Sequence, residues 1–237
     1  MNVIEKIMFE MPVAGIQPLT TLDFPGCISA VIFTQGCPWK CRYCHNPSLW
    51  GEKSENPVSW DEIDNFLNSR IGYLDGVVIS GGEPTMHPAL PDVLRWIKDK
   101  GFKTALHTNG FYPDVIRNVI KAGIVDYIAM DIKGTPRTYD IITQCENTCL
   151  PVSKSINFII SSGIPYEFRT TYHPAIMTLS ELISVMMAIS GTGCERYYLQ
   201  HFRAEGVRDE ELVRMVSIVP EQAVEMGRRL FPVFDVR

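Results

Sequence analysis

The sequence predicts an α/β fold in which six parallel strands alternate with helices. Three observations support this prediction. Short segments rich in apolar and β-branched residues, typical of buried strands, alternate with longer segments of helical periodicity. The links between them are short, and no internal repeat or long linker separates two halves. Because 237 residues with 46% hydrophobic content can bury one sizeable core, we expect a single domain spanning residues 1–237.

The elements follow one another in a regular order. The predicted strands are Ile28–Thr34, Gly76–Ser80, Lys103–His107, Tyr127–Ile132, Glu167–Thr171 and Arg196–His201. The predicted helices are Trp60–Ile71, Leu90–Lys100, Pro113–Ala122, Val152–Ser161, Leu179–Ile189 and Asp209–Leu230. The domain core is expected at about 15–205, followed by a C-terminal helical segment at about 207–230. Six units are fewer than the eight of a closed barrel, so we expect a partial (β/α)6 TIM-like barrel with its site at the C-terminal strand ends.

Charge and cysteine content restrict the function classes. The formal net charge is −5 and no basic cluster stands out, so neither nucleic acid nor an anionic membrane is an expected partner. The segment Met1–Met11 does not read as a signal peptide, and no segment is long enough to span a bilayer. Seven irregularly spaced cysteines favour free thiols over a disulfide framework, so we expect a cytoplasmic protein.

Three cysteines follow the first predicted strand within eight residues: Cys37, Cys41 and Cys44. Four cysteine thiolates normally saturate an iron–sulfur cubane, so three leave one iron open to a chelating ligand. A zinc site that adds His45 is the alternative, although adjacent Cys44 and His45 fit poorly with a tetrahedral site built from two separated turns. Residues 34–46, which we call the cysteine segment, by themselves therefore favour an iron–sulfur cluster over zinc.

The spacing Cys-x3-Cys-x2-Cys, with Tyr43 before the last cysteine, resembles the signature of the radical S-adenosylmethionine (SAM) superfamily. The strings Leu22–Gly26, Phe33–Gly36 and Cys44–Pro47 are similar to those of glycyl-radical-enzyme activases, most closely the activating proteins of anaerobic ribonucleoside-triphosphate reductases. This resemblance implies an oxidoreductase that holds one 4Fe–4S cluster on the three cysteines. It also implies that SAM is cleaved reductively to a 5′-deoxyadenosyl radical, which forms a glycyl radical on a partner enzyme, with flavodoxin or ferredoxin as electron donor.

Two segments after the second and third strands extend the resemblance. Gly81 and Gly82 let backbone approach a ligand, and Glu83 can accept from a cationic amine, although a Gly-Gly turn alone is commonly only a strand-to-helix connection. The family motif implies that this turn contacts the methionyl amino group. His107-Thr108-Asn109-Gly110 resembles the family's Asp-Thr-Asn-Gly, with His107 in place of an acid that helps coordinate a monovalent cation in some activases.

Charged residues lie at the later strand ends. Asp131 and Lys133 project to one face, and their likeness to the activases' Asp-x-Lys motif implies contacts with the SAM carboxylate; an ordinary ion pair is the alternative. Arg169 is predicted to hydrogen-bond the ribose or carboxylate of the cofactor, and a surface ion pair is the alternative. For His201, the resemblance to related activases implies a contact with the cofactor, and a structural histidine is the alternative. No catalytic side chain is predicted beyond cluster and cofactor. The predicted SAM contacts are Tyr43, Gly81, Gly82, Glu83, Thr108, Asn109, Asp131, Lys133, Arg169 and His201.

Other functions stay open at this stage. One is a radical SAM enzyme that acts on a small molecule, like 7-carboxy-7-deazaguanine synthase, or on a peptide. Another is a non-enzymatic zinc or electron-transfer module. Cys145 and Cys149, with Cys194 and Cys27, raise an auxiliary cluster as a further alternative, but their spacing is not that of ferredoxins and we expect ordinary thiols.

Overall fold

The computed structural model describes residues 11–237, which contain eight strands arranged in chain order. The strands are β1 Val13–Thr20, β2 Ser29–Thr34, β3 Gly76–Gly81, β4 Lys103–Thr108, β5 Tyr127–Asp131, β6 Tyr166–Tyr172, β7 Arg196–His201 and β8 Val233–Val236. Strand β1 pairs antiparallel with β2, whereas β2 with β3, β3 with β4, β6 with β7 and β7 with β8 are parallel pairs. The predicted α/β class with parallel strands is therefore confirmed, and all six predicted strands are present.

Helices occupy most of the connections between strands. They are α1 Trp60–Asn68, α2 Leu90–Asp99, α3 Pro113–Lys121, α4 Tyr139–Thr143, α5 Cys149–Ser162, α6 Leu179–Ser190, α7 Glu210–Arg214 and α8 Glu221–Leu230. Two 3-10 turns, Pro47–Leu49 and Pro84–Met86, follow the cysteine segment and the Gly-Gly turn. None of the helices in residues 11–237 has the length and apolarity needed to cross a membrane.

Contacts divide the chain into two compact units. The described part of the first unit comprises residues 11–38, 48–108 and 114–128. Its central strand β3 is fully buried at Val77, Val78 and Ile79 because it lies between β2 and β4. Helix α1 buries Ile63 and Leu67 completely, and its N-terminus is closed by a reciprocal capping box between Ser59 and Glu62. The first unit thus presents the C-terminal ends of β2, β3 and β4 side by side.

The second unit comprises residues 39–47, 109–113 and 129–237. Its interior is formed by large side chains on β6 and β7, among which Phe168 and Tyr197 are fully buried. Helix α6 carries a capping box between Thr178 and Glu181, which fixes its start after β6. This unit contains the later part of the cysteine segment as well as the charged ends of β5 and β6.

Several elements differ from the sequence-based expectation. The predicted helix Asp209–Leu230 is wrong as one element, because α7 ends at Arg214 and α8 begins only after Pro220, whose ring cannot continue a helix. Strands β1 and β8 and helix α4 were not predicted. Both strands are half-exposed edge strands, and β1 has two register irregularities, so neither gives a strong buried pattern. Helix α4 has five residues, too few for a periodicity signal.

Candidate functional site

Cys37 lies in the first unit at a short backbone ladder that follows β2. The Gly36 N–H donates to the Leu49 carbonyl at 2.9 Å, and the Cys37 N–H donates to the Trp50 carbonyl at 3.3 Å. The buried Gln35 amide donates to two further carbonyls of residues 48–51. These bonds fix the backbone that presents the half-buried Cys37 side chain.

The second unit contains what we call the cysteine loop, residues 39–47, which includes Cys41 and Cys44. The Lys40 and Arg42 N–H groups donate to the carbonyls of Thr143 and Ile142 at 2.9 and 3.3 Å. The loop then turns, since the Cys44 N–H donates to the Cys41 carbonyl at 3.0 Å. Helix α4, which has no sequence signal, therefore supplies the backbone acceptors that hold this irregular segment.

The cysteine segment has features that fit an iron–sulfur cluster. All seven cysteines are free thiols. Burial raises the pKa of Cys41 to about 11 in the protein without a cluster, so cluster binding has to release the proton of this thiol. Trp39 Nε1 and Tyr43 Oη are buried and have no hydrogen-bond partner among the described residues. A bound polar group would supply such partners, and three thiols match a cubane with one open iron.

Three thiols on a cubane each bind a different iron, so they do not have to converge on one point. Within residues 11–237, no group of three or more His, Cys, Asp or Glu side chains is placed to hold a single metal ion. Cys27 and Cys194 are buried, whereas Cys145 and Cys149 are half-buried.

A network of alternating charges runs through the second unit. Asp131 accepts from Lys133 Nζ and from Arg169 Nε, both at 2.9 Å. The buried Glu167 lies 3.7 Å from Arg169 and 3.2 Å from Arg237. Lys133 also lies over the Tyr43 ring, with its Nζ 5.3 Å from the ring centroid. The predicted residues Tyr43, Asp131, Lys133 and Arg169 are therefore brought together.

Charges within this network determine the protonation states. Burial alone would raise the pKa of Asp131, but Lys133 and Arg169 outweigh it and lower the pKa well below its usual range. Burial would lower the pKa of Lys133, but the Asp131 carboxylate holds it above its usual value. Burial raises the pKa of Tyr43, which stays a neutral phenol. The network thus presents a permanent ammonium group and a permanent guanidinium group.

The Gly-Gly turn after β3 packs closely on the chain's own backbone. A Cβ on Gly81 would lie 2.3 Å from the Thr34 nitrogen, and Gly81 has a φ of +114°, which favours glycine. A Cβ on Gly82 would lie 1.9 Å from the Gly36 carbonyl oxygen. Both glycines are therefore required by the approach of β3 to the start of the cysteine segment.

Glu83 and Thr108 form one buried cluster in the first unit. The Glu83 Oε1 atom accepts from the Thr108 hydroxyl at 2.7 Å, from the Thr85 N–H at 2.9 Å and from the Thr85 hydroxyl. The His107 Nε2–H donates to the Asp23 carbonyl at 2.8 Å, so this ring fixes the loop between β1 and β2. Glu83 thus orients the turn as well as offering a carboxylate.

Asn109 and His201 are the two remaining predicted contacts. Asn109 is buried in the second unit, where its Oδ1 accepts from the Phe111 N–H at 2.9 Å. His201 has an exposed side chain at the end of β7, and its N–H donates to the Arg237 carbonyl at 2.7 Å. Their roles as cofactor contacts stay predictions. Sequence reasoning missed Glu167 and Arg237. The two-residue period of β6 could have revealed Glu167 next to Arg169, whereas Arg237 has no local signal.

Comparison with known proteins gives the family. The model of the radical SAM superfamily matches residues 31–176. A candidate glycyl-radical enzyme activating enzyme of Methanocaldococcus jannaschii is 33% identical over 221 residues, 91% of this chain and 90% of the relative. The pyruvate formate-lyase-activating enzyme of Clostridium pasteurianum is 33% identical over 128 residues, 50% of this chain and 51% of its own length.

Solved structures share the fold at low identity. SuiB of Streptococcus suis, bound to its precursor peptide SuiA, has a TM-score of 0.67 and 13% identity, covering 87% of this chain and 48% of SuiB. A domain of the pyruvate-formate lyase-activating enzyme from Bacteroides vulgatus has a TM-score of 0.55 and 16% identity, covering 68% of this chain and 98% of that domain. These likenesses confirm the predicted partial-barrel fold class. Radical SAM proteins use a 4Fe–4S cluster and SAM, and this chain belongs to that superfamily and, within it, to the glycyl-radical-enzyme activating enzymes.

Proposed function

We propose that this protein forms a glycyl radical on an anaerobic ribonucleoside-triphosphate reductase. The observation that carries the proposal is the similarity over 91% of the chain to a candidate glycyl-radical enzyme activating enzyme. The choice of reductase is supported by the segments Leu22–Gly26 and Cys44–Pro47, which resemble those of activating proteins of that class. We further propose that residues 1–237 act as one cytoplasmic radical SAM domain.

The proposed cluster ligands are Cys37, Cys41 and Cys44. When bound, the cluster supplies the electron that cleaves SAM to a 5′-deoxyadenosyl radical, which abstracts a glycine hydrogen atom; flavodoxin or ferredoxin is the proposed donor. The protein's part is to bind the cluster and SAM, to orient SAM and to exclude water from the site. The half-buried positions of Cys37 and Cys44 and the buried position of Cys41 suit this task, since they restrict solvent access to the ligands.

We propose that the charged network of the second unit binds the SAM carboxylate. Lys133 and Arg169 carry permanent positive charge, and both side chains are nearly buried, with exposed fractions of 12% and 13%. The Asp131 carboxylate orients the Lys133 and Arg169 side chains, so that the carboxylate of SAM would meet donors that are already in place. Tyr43, below the Lys133 ammonium, presents a neutral ring face to the same place.

The Gly-Gly turn and its neighbours are proposed to bind the methionyl amine. Glu83 offers the carboxylate, and Thr85 and Thr108 hold that carboxylate in one orientation through hydroxyl donors. Asn109 and His201 are the less supported contacts, proposed from their places at the ends of β4 and β7.

An anaerobic assay tests the proposal. The reconstituted, reduced protein is mixed with SAM and the candidate reductase, and a glycyl-radical resonance is sought by electron paramagnetic resonance. We expect this signal with the reductase, and expect that Cys44→Ser protein gives none. SAM cleavage without a glycyl radical would refute the proposed substrate. A radical formed only on pyruvate formate-lyase, tested in parallel, would keep the family and reassign the partner.

A further inference from the structure

The chain that follows β7 contacts the cysteine loop beside both of its cysteines. Arg42 comes directly after Cys41, and His45 comes directly after Cys44. Each of these neighbours is bound by residues 205–211, which we call the clasp. All of these residues belong to the second unit.

The first contact is a forked ion pair. Arg42 Nε donates to Asp209 Oδ2 and Arg42 Nη2 donates to Glu211 Oε2, both at 2.7 Å. The Arg42 and Asp209 side chains are only 27% and 21% exposed, so solvent screens their pair less than it screens a pair on the open surface. Asp209 also caps α7, accepting from the N–H groups of Glu211 at 3.1 Å and Leu212 at 3.3 Å. The cap thus holds the Asp209 side chain through its Oδ1 atom, while Oδ2 accepts from Arg42.

The second contact lies at His45. Its Nδ1–H donates to the Glu205 carbonyl at 3.3 Å. A Cβ on Gly206 would lie 2.0 Å from the His45 carbonyl oxygen, and Gly206 has a φ of +79°, so no other residue fits this approach without displacement. The backbone of Gly206 therefore packs directly against the backbone of His45, the residue after Cys44.

The clasp is itself anchored to the interior of the second unit. Leu212, which directly follows it, is fully buried, and its carbonyl accepts from the Nε2–H of the buried His173 at 3.1 Å. The Phe202 ring packs on the His173 ring, with centroids 4.6 Å apart. A segment held at both ends can restrain the irregular loop that it contacts.

We infer that the clasp positions Cys41 and Cys44 and thereby slows the loss of iron from the cluster. This inference rests on the proposed cluster ligands. Arg42, Gly206, Asp209 and Glu211 act through the loop backbone and are positioning residues. Weakening their contacts lets the loop move, so the two thiolates separate more often from their irons. Because part of the restraint is ionic, iron loss is expected to depend on salt.

The test measures iron release to a chelator from the reconstituted protein, without SAM or any partner. Arg42→Gln should release iron about three to ten times faster than the wild type and Glu211→Gln about twofold faster, in keeping with the energies of partly exposed ion pairs. Gly206→Ala should also release iron about three to ten times faster, because its added Cβ would clash with the His45 carbonyl and displace the loop. Arg214→Gln is the matched control, because it breaks the Arg214–Glu210 pair on α7 and leaves the loop contacts intact. Raising the salt from about 0.05 to about 0.5 M should speed release from the wild type and hardly affect Arg42→Gln.

The outcomes separate the two proposals. A wild-type protein that never takes up about four irons contradicts the proposed cluster and function. The clasp inference is refuted if the wild type holds the cluster, releases iron at a rate that does not depend on salt, and shows the same rate as Glu211→Gln and Arg42→Gln. That result leaves the proposed function standing. The salt dependence needs no variant, so a variant that fails to fold does not remove the test.

Discussion

Replacing Gly82 with alanine is expected to destabilise the protein strongly, because the new Cβ would lie 1.9 Å from the Gly36 carbonyl oxygen. Ordinary carbon–oxygen contacts are about 3.3–3.6 Å, so the two backbones would have to separate by about 1.5 Å. Neither atom belongs to a flexible side chain that could move away. The same carbonyl accepts from the Glu83 N–H at 2.8 Å, so the separation also weakens this hydrogen bond.

Overpacking of this kind costs about 1–3 kcal/mol, and the lost hydrogen bond costs about 1 kcal/mol more. For a chain of this length, each kcal/mol lowers the melting temperature by about 2–4 °C, so we expect a decrease of about 5–15 °C. Gly51→Ala is the matched control, because nothing lies within 4 Å of its added Cβ. Melting is followed by circular dichroism on the protein without cluster. A Gly82→Ala protein that melts within about 1 °C of Gly51→Ala would refute the close approach.

Three other predictions concern the charged and cysteine residues. Glu167→Gln removes the nearly buried carboxylate between Arg169 and Arg237. It should lower the free energy of unfolding by about 2 kcal/mol, the cost of losing hydrogen bonds between charged groups, measured by urea titration. Burial alone would raise the pKa of Asp126, but Lys98 and the Thr104 N–H lower it, so its stabilisation exists above the unfolded pKa of about 3.9 and is lost as the pH falls through the lower folded pKa. Asp126→Asn should therefore lower the free energy of unfolding by about 1 kcal/mol at pH 7, and should leave it unchanged once the pH is below the folded pKa of Asp126. The double substitution of Cys145 and Cys149 by serine should leave the iron content unchanged, whereas Cys44→Ser should reduce it.

Each of these has a contrary result. Equal urea midpoints for Glu167→Gln and the wild type would show that the network does not need this carboxylate. An Asp126→Asn difference that grows toward low pH would contradict the sign of the pKa shift. Loss of iron from the Cys145 and Cys149 variant, with the melting temperature unchanged, would reopen an auxiliary cluster.

The sequence by itself determined the six central strands and most helices, because apolar and β-branched runs report burial directly. It also determined the cysteine spacing and the family resemblance, because the thiols lie within eight residues and such a motif needs no tertiary information. The approach of Lys133 to Asp131 could likewise be predicted, since side chains two residues apart on extended backbone project to the same side.

Only the tertiary structure decided which distant residues support the site. Arg42 meets Asp209 across 167 positions, and Glu167 meets Arg237 across 70. No periodicity encodes such pairs, because their approach depends on how whole elements pack. The same holds for Gly82, whose need for glycine comes from the Gly36 carbonyl of another strand end. Local patterns report the environment of one segment, whereas contacts between segments exist only once the chain has folded.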